Sequence, residues 1–219
     1  MLLPALSAAR ERARSATCIS NLKNMGLGAT MYAGDNQDWR LPNRQAYQTN
    51  IGSEVNPAGW GFLYTGQYVA DGKAMFCPSL TTITYERYFY TSDVAKSGNF
   101  KTGYATAVWD FPGSTGSDTW VSFKLSGPFK PWNSQYAATK APSGPSTMPL
   151  GTDILREDNY LVSGDAVVYG GHGKSLNIIW ADGHADAFND TKGEFVNKND
   201  WKVPFNAPGY ILEYVQGDR

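Results

Sequence analysis

The residues of this chain best equipped for chemistry are its two histidines, His172 and His184, with Asp182, Asp186 and Asp153 as the nearest carboxylates to consider. Imidazole nitrogen with carboxylate oxygen is a zinc-type donor set, which makes His172, Asp182 and His184 candidate metal ligands. The spacing identifies no further partner to complete such a site, and calcium takes oxygen in preference to imidazole. The simpler reading is structural: Asp182 and Gly183 form a turn, His172 hydrogen-bonds a nearby backbone, and no cofactor is needed. We adopt it, with a metal ion as the alternative. Other catalytic patterns are missing. The sequence has no Gly-X-Ser-X-Gly elbow, phosphate loop, dinucleotide fingerprint, His-Glu-X-X-His or Cys-X-X-Cys. Nothing singles out a pair of acids for glycosidase chemistry. The chain is therefore expected not to be an enzyme.

The elements that position these residues can be read locally. Leu176 to Ala181 is β-branched and apolar, and Asp182-Gly183 follows it. Asp-Gly suits a type I′ hairpin turn, in which both residues take positive φ. His172 stands in a glycine-rich run, Gly170-Gly171-His172-Gly173, where its side chain is expected to tie the loop to the hairpin. Further strands are expected at Tyr104 to Trp109 and Thr119 to Leu125, with one more at Leu161 to Tyr169, broken at Gly164-Asp165. Turn clusters occupy Phe111 to Asp118 and Ala141 to Gly151, and residues 43–58 read as loop. The aromatic residues Tyr85, Tyr88, Phe89, Tyr90, Trp109, Trp120, Trp132 and Tyr136 are either core or ring platforms for sugars.

At the other end, residues 3–33 read as one long helix with Gly34 as its C-terminal cap. Cys18, Leu22, Met25, Ala29 and Tyr32 step by 4, 3, 4 and 3, which keeps them on one apolar stripe. Before Cys18 the pattern dissolves. Arg10, Glu11, Arg12 and Arg14 point all round, so that stretch is expected to be a solvated stalk. Gly26 and Gly28 each cost roughly 1 kcal/mol inside a helix. Either they permit close backbone approach or they are tolerated surface glycines.

Net charge is -1, and Lys124, Lys130 and Lys140 are scattered, so no nucleic-acid partner is expected. Only 18% of residues are charged, aromatics reach 14% and there are 23 glycines, a profile of a β-rich, turn-rich domain. No apolar run of roughly 18 residues is present. Leu2-Leu3-Pro4-Ala5-Leu6 nevertheless reads as the tail of a longer apolar segment, a membrane helix cut within its length.

Two motifs carry a resemblance. The first is Leu2-Leu3-Pro4-Ala5-Leu6, Cys18, Asn21-Leu22-Lys23, Tyr32-Ala33, Asp35-Asn36 and Leu41-Pro42, with Phe76-Cys77-Pro78-Ser79 further on. The second is His172, nine residues, then Asp182-Gly183, an H-X9-DG signature. Together they resemble bacterial pilin-like proteins of the type II secretion pseudopilin and type IV pilus kind, with a prepilin-type N-terminus. The resemblance covers both ends of the chain and little between Asn43 and Gly151. It implies a non-enzymatic subunit anchored in the inner membrane and exposed to the periplasm or cell surface. Its partners would be other pilin-like subunits and the secretion or pilus assembly machinery, met through the N-terminal helix. The chain without its full anchor is expected to be monomeric. Related secretion pseudopilins hold a calcium ion in a C-terminal loop. An exported protein with two cysteines, one of them on the apolar stripe, implies a Cys18–Cys77 disulfide, the alternative being two separate buried thiols.

The expected fold is α+β and pilin-like: a long N-terminal helix packed on an antiparallel sheet, loop-rich. Residues 1–34 would form the helix and 35–219 a β-rich head, with the H-X9-DG hairpin at about 172–188. The competing reading is a pilin-anchored ligand- or carbohydrate-binding module, which exposed coplanar rings would favour.

Overall fold

The computed structural model of the chain describes residues 2–44, 51–81, 83–90, 100–106, 120–121, 123–129, 142–153, 156–157, 168–169, 172 and 175–189. The expected turn at Phe111 to Asp118, most of the strand expected from Leu161, and the rings of Trp109, Trp132 and Tyr136 lie outside these residues.

Helix α1 (Leu2–Asp35) is continuous over 34 residues. It runs through Gly34 rather than stopping there. Its end is set by Gln37 and Asp38, whose φ values of 55° and 71° turn the chain left-handed, and the Asp38 N–H donates to Ala33 O at 2.7 Å. Polar side chains tolerate this conformation better than most, so glycine is not required. Cys18, Leu22, Met25, Ala29 and Ala33 line the buried face. Residues 4–10 are exposed, but Glu11 and Ser15 are half-buried. The covered stripe thus starts earlier than its apolar residues suggest, and the stalk is not solvated on every side.

The loop after α1 holds only short ladders. β1 (Asn43–Arg44) pairs with β5 (Trp120–Val121), and β2 (Gly52–Ser53) turns directly onto β3 (Asn56–Pro57). The short helices α2 (Gly61–Thr65) and α3 (Tyr85–Tyr88) flank a 3-10 turn at Gly72–Met75. Tyr64, Phe76, Tyr85, Phe89, Tyr90 and Phe100 pack edge-on, tilted or stacked, with ring centroids 4.7–6.1 Å apart. Phe76 and Phe89 are therefore core, and Tyr64, Tyr85, Tyr90 and Phe100 are partly buried against it.

The main sheet is antiparallel throughout and comprises β4 (Tyr104–Thr106), β6 (Pro149–Asp153), β9 (Ser175–Trp180) and β10 (Ala185–Asn189), in the order β10-β9-β6-β4. A separate two-stranded ladder joins β7 (Arg156–Glu157) to β8 (Val168–Tyr169). β6 begins inside the stretch expected to be a turn, Ala141 to Gly151, and runs two residues past it. Its Pro149 sits at the strand's first position, and the register shifts between Pro149 and Gly151, which is how a strand accommodates residues that disfavour it.

α1 lies against β9 and β10. A Cβ at Gly26 would come within 2.5 Å of Ile179 Cδ1, and one at Gly28 within 3.2 Å of Val69 Cγ2. Both glycines therefore serve close approach. The result is the α+β arrangement: a long helix on an antiparallel sheet, with the core between Leu22, Met25 and Ala29 on one side and Ile179 and Ala181 on the other.

Candidate functional site

The members of the H-X9-DG motif part company in the fold. β9 intervenes, and at about 3.3 Å per residue a six-residue strand separates its two ends by roughly 20 Å. His172 lies at the start of β9, under α1. Asp182 and Gly183 lie past its far end.

At that far end the hairpin differs from the expected type I′ turn. Ile179 pairs with Ala185, and Trp180 N–H donates to His184 O at 2.9 Å, which leaves Ala181, Asp182 and Gly183 as a three-residue connection. Gly183 N–H donates to Trp180 O at 3.0 Å, and only Gly183 of these residues takes positive φ, at 86°. This is the geometry of a turn closed by a left-handed glycine, so Asp182 needs no unusual backbone. Its carboxylate instead accepts the His184 N–H at 3.1 Å and faces His184 Nδ1 at 2.5 Å. The His184 ring stacks on Trp180 with centroids 5.5 Å apart, and Trp180 Nε1–H donates to Asp186 at 2.9 Å. Asp182 and His184 form an exposed pair that finishes the hairpin.

At the near end His172 meets four side chains from distant parts of the chain. Nδ1 lies 2.7 Å from Glu11 Oε1 on α1, and the same oxygen accepts the Ser79 hydroxyl at 3.0 Å. Nε2 lies 3.2 Å from Cys77 Sγ and 3.5 Å from Asp153 Oδ2 on β6. The His172 side chain is 3% exposed and Asp153 4%, while Glu11 is 41% exposed and reaches solvent. His172 therefore ties its loop to α1, β6 and the segment after the 3-10 turn, rather than to the hairpin.

Cys77 is bonded to Cys18, which joins the packed half of α1 to that same segment across a separation of 59 residues. The disulfide lies directly beneath the imidazole. Among the described residues, Cys18, Cys77 and His172 bring their donor atoms within 4.8 Å of one another; His172, Asp182 and His184 form no such group. The alternative set of metal ligands, His172, Asp182 and His184, is thus not brought together among the described residues. Its members sit at opposite ends of a strand.

The electrostatics of this hub follow from its burial. A carboxylate accepts only, so Glu11 fixes the proton on Nδ1 and turns Nε2 toward Asp153 and the sulfur. Burial pushes the Asp153 carboxyl up to about 7, against the pull of Asn177, whose backbone N–H and side-chain amide donate to it at 3.0 and 2.8 Å. Near neutral pH Asp153 can thus carry a proton, which it can donate to Nε2. The arrangement has an acid–base pair, but it is roofed by α1. The sequence named His172 and Asp153 among its titratable residues and missed Glu11, Ser79 and Asn177. Stepping the stripe back from Leu22 through Cys18 and Ser15 lands on Glu11, and that was the available signal.

A family model described as a protein of unknown function (DUF1559) matches residues 7–64. That stretch holds Glu11, Cys18 and most of α1. No curated protein and no solved structure matches the chain. The matched segment overlaps the one that carries the N-terminal resemblance, and it is consistent with a pilin-like surface protein.

Proposed function

We propose that this chain is a non-enzymatic, pilin-like subunit. It is held at the inner membrane by its N-terminal helix, displays its sheet domain to the periplasm or cell surface, and works by assembling with other pilin-like subunits. The observation that carries this reading is the division of α1. Residues 4–10 are bare, whereas Cys18 to Ala33 are fastened to the head by packing and by a disulfide. A helix gripped at one end and exposed at the other is built to be shared with neighbouring copies, because an apolar rod leaving a bilayer must bury itself against its own kind. The disulfide also suits an oxidising compartment. No helix among the described residues is long and apolar enough to cross a membrane.

The ligand-binding alternative has a cavity of about 600 Å³ lined by Glu54, Tyr64, Thr65, Gln67, Val69 and Ala70. Tyr64, its aromatic member, is partly buried and packs edge-on against Phe89 with centroids 4.7 Å apart.

The test is to express the complete gene product in its own host, fractionate the cells and cross-link the envelope. Recovery in the membrane or sheared surface fraction, with a ladder of cross-linked species that is lost when the segment upstream of Arg10 is deleted, is the expected result. Recovery in the cytoplasm with both thiols free would overturn the proposal. The 219-residue chain itself should be monomeric by light scattering.

A further inference from the structure

Every chain is synthesised with its thiols reduced, and in that state the hub around His172 changes character. We propose that the disulfide is one state of a redox-switched metal site, and that the reduced chain binds one thiophilic divalent ion, zinc above all, through Cys18 Sγ, Cys77 Sγ and His172 Nε2, with the Asp153 carboxylate completing the set. The inference is independent of the pilin-like reading.

The geometry carries the proposal. The sulfur and nitrogen donors already lie within 4.8 Å of one another. A tetrahedral zinc with Zn–S about 2.3 Å and Zn–N about 2.0 Å sets its nitrogen and sulfur ligands roughly 3.5 Å apart, and nitrogen and carboxylate oxygen roughly 3.3 Å apart. The corresponding distances here are 3.2 Å from Nε2 to Cys77 Sγ and 3.5 Å from Nε2 to Asp153 Oδ2. The two sulfurs must separate, which breaking their bond allows, and the Asp153 carboxylate, which lies outside the group of donors within 4.8 Å of one another, must swing from His172 toward the sulfurs. The second shell is also in place. Zinc-binding histidines donate their other ring N–H to a carboxylate, which orients the ring and raises its basicity, and Glu11 holds Nδ1 of His172 in that way at 2.7 Å. Two thiolates and a carboxylate around an imidazole favour zinc over calcium or magnesium.

Reduction adds two electrons and two protons to the disulfide, breaking the S–S bond and giving two thiols. A dithiol reductant supplies both and leaves as its own disulfide. Zinc then displaces the two thiol protons to solvent and forms two Zn–S bonds. A disulfide oxidant reverses the sequence: it takes two electrons from the zinc thiolates and two protons from solvent, leaves as a dithiol, the S–S bond re-forms and the zinc ion is released. Before oxidation the metal would join α1 to the head where the disulfide later does, and it would shield two buried thiols from wrong partners.

The experiment uses the whole chain, reduced under anaerobic conditions with a phosphine that is then removed, and titrated with cobalt(II) and zinc. The expected result is one equivalent of cobalt bound with thiolate-to-metal charge-transfer bands, displaced by zinc, and no binding by the disulfide-bonded chain. His172→Ala should lower the affinity at least tenfold and Glu11→Gln about tenfold through the second shell, with His184→Ala and Asp182→Asn unchanged. A reduced chain that binds no stoichiometric cobalt, or binds it equally well in His172→Ala and Glu11→Gln, overturns the proposal. If the reduced metal-free chain, or its His172→Ala form, melts without cooperativity, recovery of a cooperative melt by zinc in the wild type and its weakening in Glu11→Gln support the site. Failure of zinc to restore the wild type refutes it.

Discussion

His172 meets side chains from α1, β6 and the segment after the 3-10 turn, so its removal should be felt well beyond its loop. In His172→Ala, Glu11 loses its nearest donor, and Asp153 keeps Asn177 but faces an empty space where Nε2 had been. Leaving buried polar groups short of a partner costs about 1–3 kcal/mol. At roughly 2–4 °C per kcal/mol for a chain of this size, the melting temperature should drop by several degrees. Added zinc or calcium should not raise it in the disulfide-bonded wild type, and a thermal-shift titration of both proteins checks the two statements. The hairpin residues behave differently. Gly183 has φ of 86°, yet a Cβ there would meet nothing within 4 Å, so the penalty for a side chain comes from the backbone alone. Gly183→Val forces a β-branched residue into that region and should cost about 1–3 kcal/mol. Asp182→Asn keeps the oxygen that accepts the His184 N–H and should fall within about 0.5 kcal/mol of wild type. Chemical denaturation of the pair measures the contrast. The motif's residues and the strand between them were legible in the sequence, but the partners of His172 were not, because Glu11, Ser79 and Asp153 reach it from distant parts of the chain.

At the scale of elements, α1 was the most legible part, since its stripe repeats over several turns and a long period is a strong signal. Glu11 was read as solvated because it is charged, although its position continues the buried face. β6 was hidden for a different reason. Pro149 and Gly151 are turn residues by composition, and only pairing with β9 and β4 on either side makes a strand of them. The helix–sheet contact gives the sharpest test at this scale. Gly26 and Gly34 are both helical glycines, and local propensity alone predicts that alanine stabilises each by up to about 1 kcal/mol. At Gly34 nothing lies within 4 Å of the new methyl, so Gly34→Ala should show that gain. At Gly26 the methyl would sit 2.5 Å from Ile179 Cδ1 and 2.8 Å from Cγ1, and the isoleucine is fully buried with little room to move. Gly26→Ala should therefore be net destabilising, by about 1–3 kcal/mol, as overpacking is elsewhere. Urea melts of the two variants should move in opposite directions.

For the molecule as a whole, the question is what keeps a long helix joined to its head. Apolar burial along α1 contributes through small and medium side chains, while the polar hub at Glu11 and the Cys18–Cys77 bond add two further fastenings on the same face. The cysteines are 59 residues apart, and closing a loop of that length removes roughly 4 kcal/mol worth of chain entropy from the unfolded state. That is a large share of the 5–15 kcal/mol that roughly spans the stability of ordinary domains. The covalent link and the hub are in contact, because Nε2 of His172 lies 3.2 Å from Cys77 Sγ, and contact predicts that they are coupled. Cys18→Ser/Cys77→Ser places two buried hydroxyls where sulfurs had been and should lose at least the loop-closure term. A double-mutant cycle with His172→Ala is then informative. If the two fastenings were independent, their effects would add within about 0.5 kcal/mol. Contact between them predicts a departure larger than that: once the bond is gone the segment carrying Ser79 is free to shift, and His172 has less to hold. Equilibrium denaturation of the wild type, the two parents and the combined variant, all metal-free and with the wild-type bond verified by absence of free thiol, measures the coupling. Strict additivity would show that the imidazole merely lies beside the disulfide, and a coupling energy above the additive limit would show that the two act as one joint between helix and head.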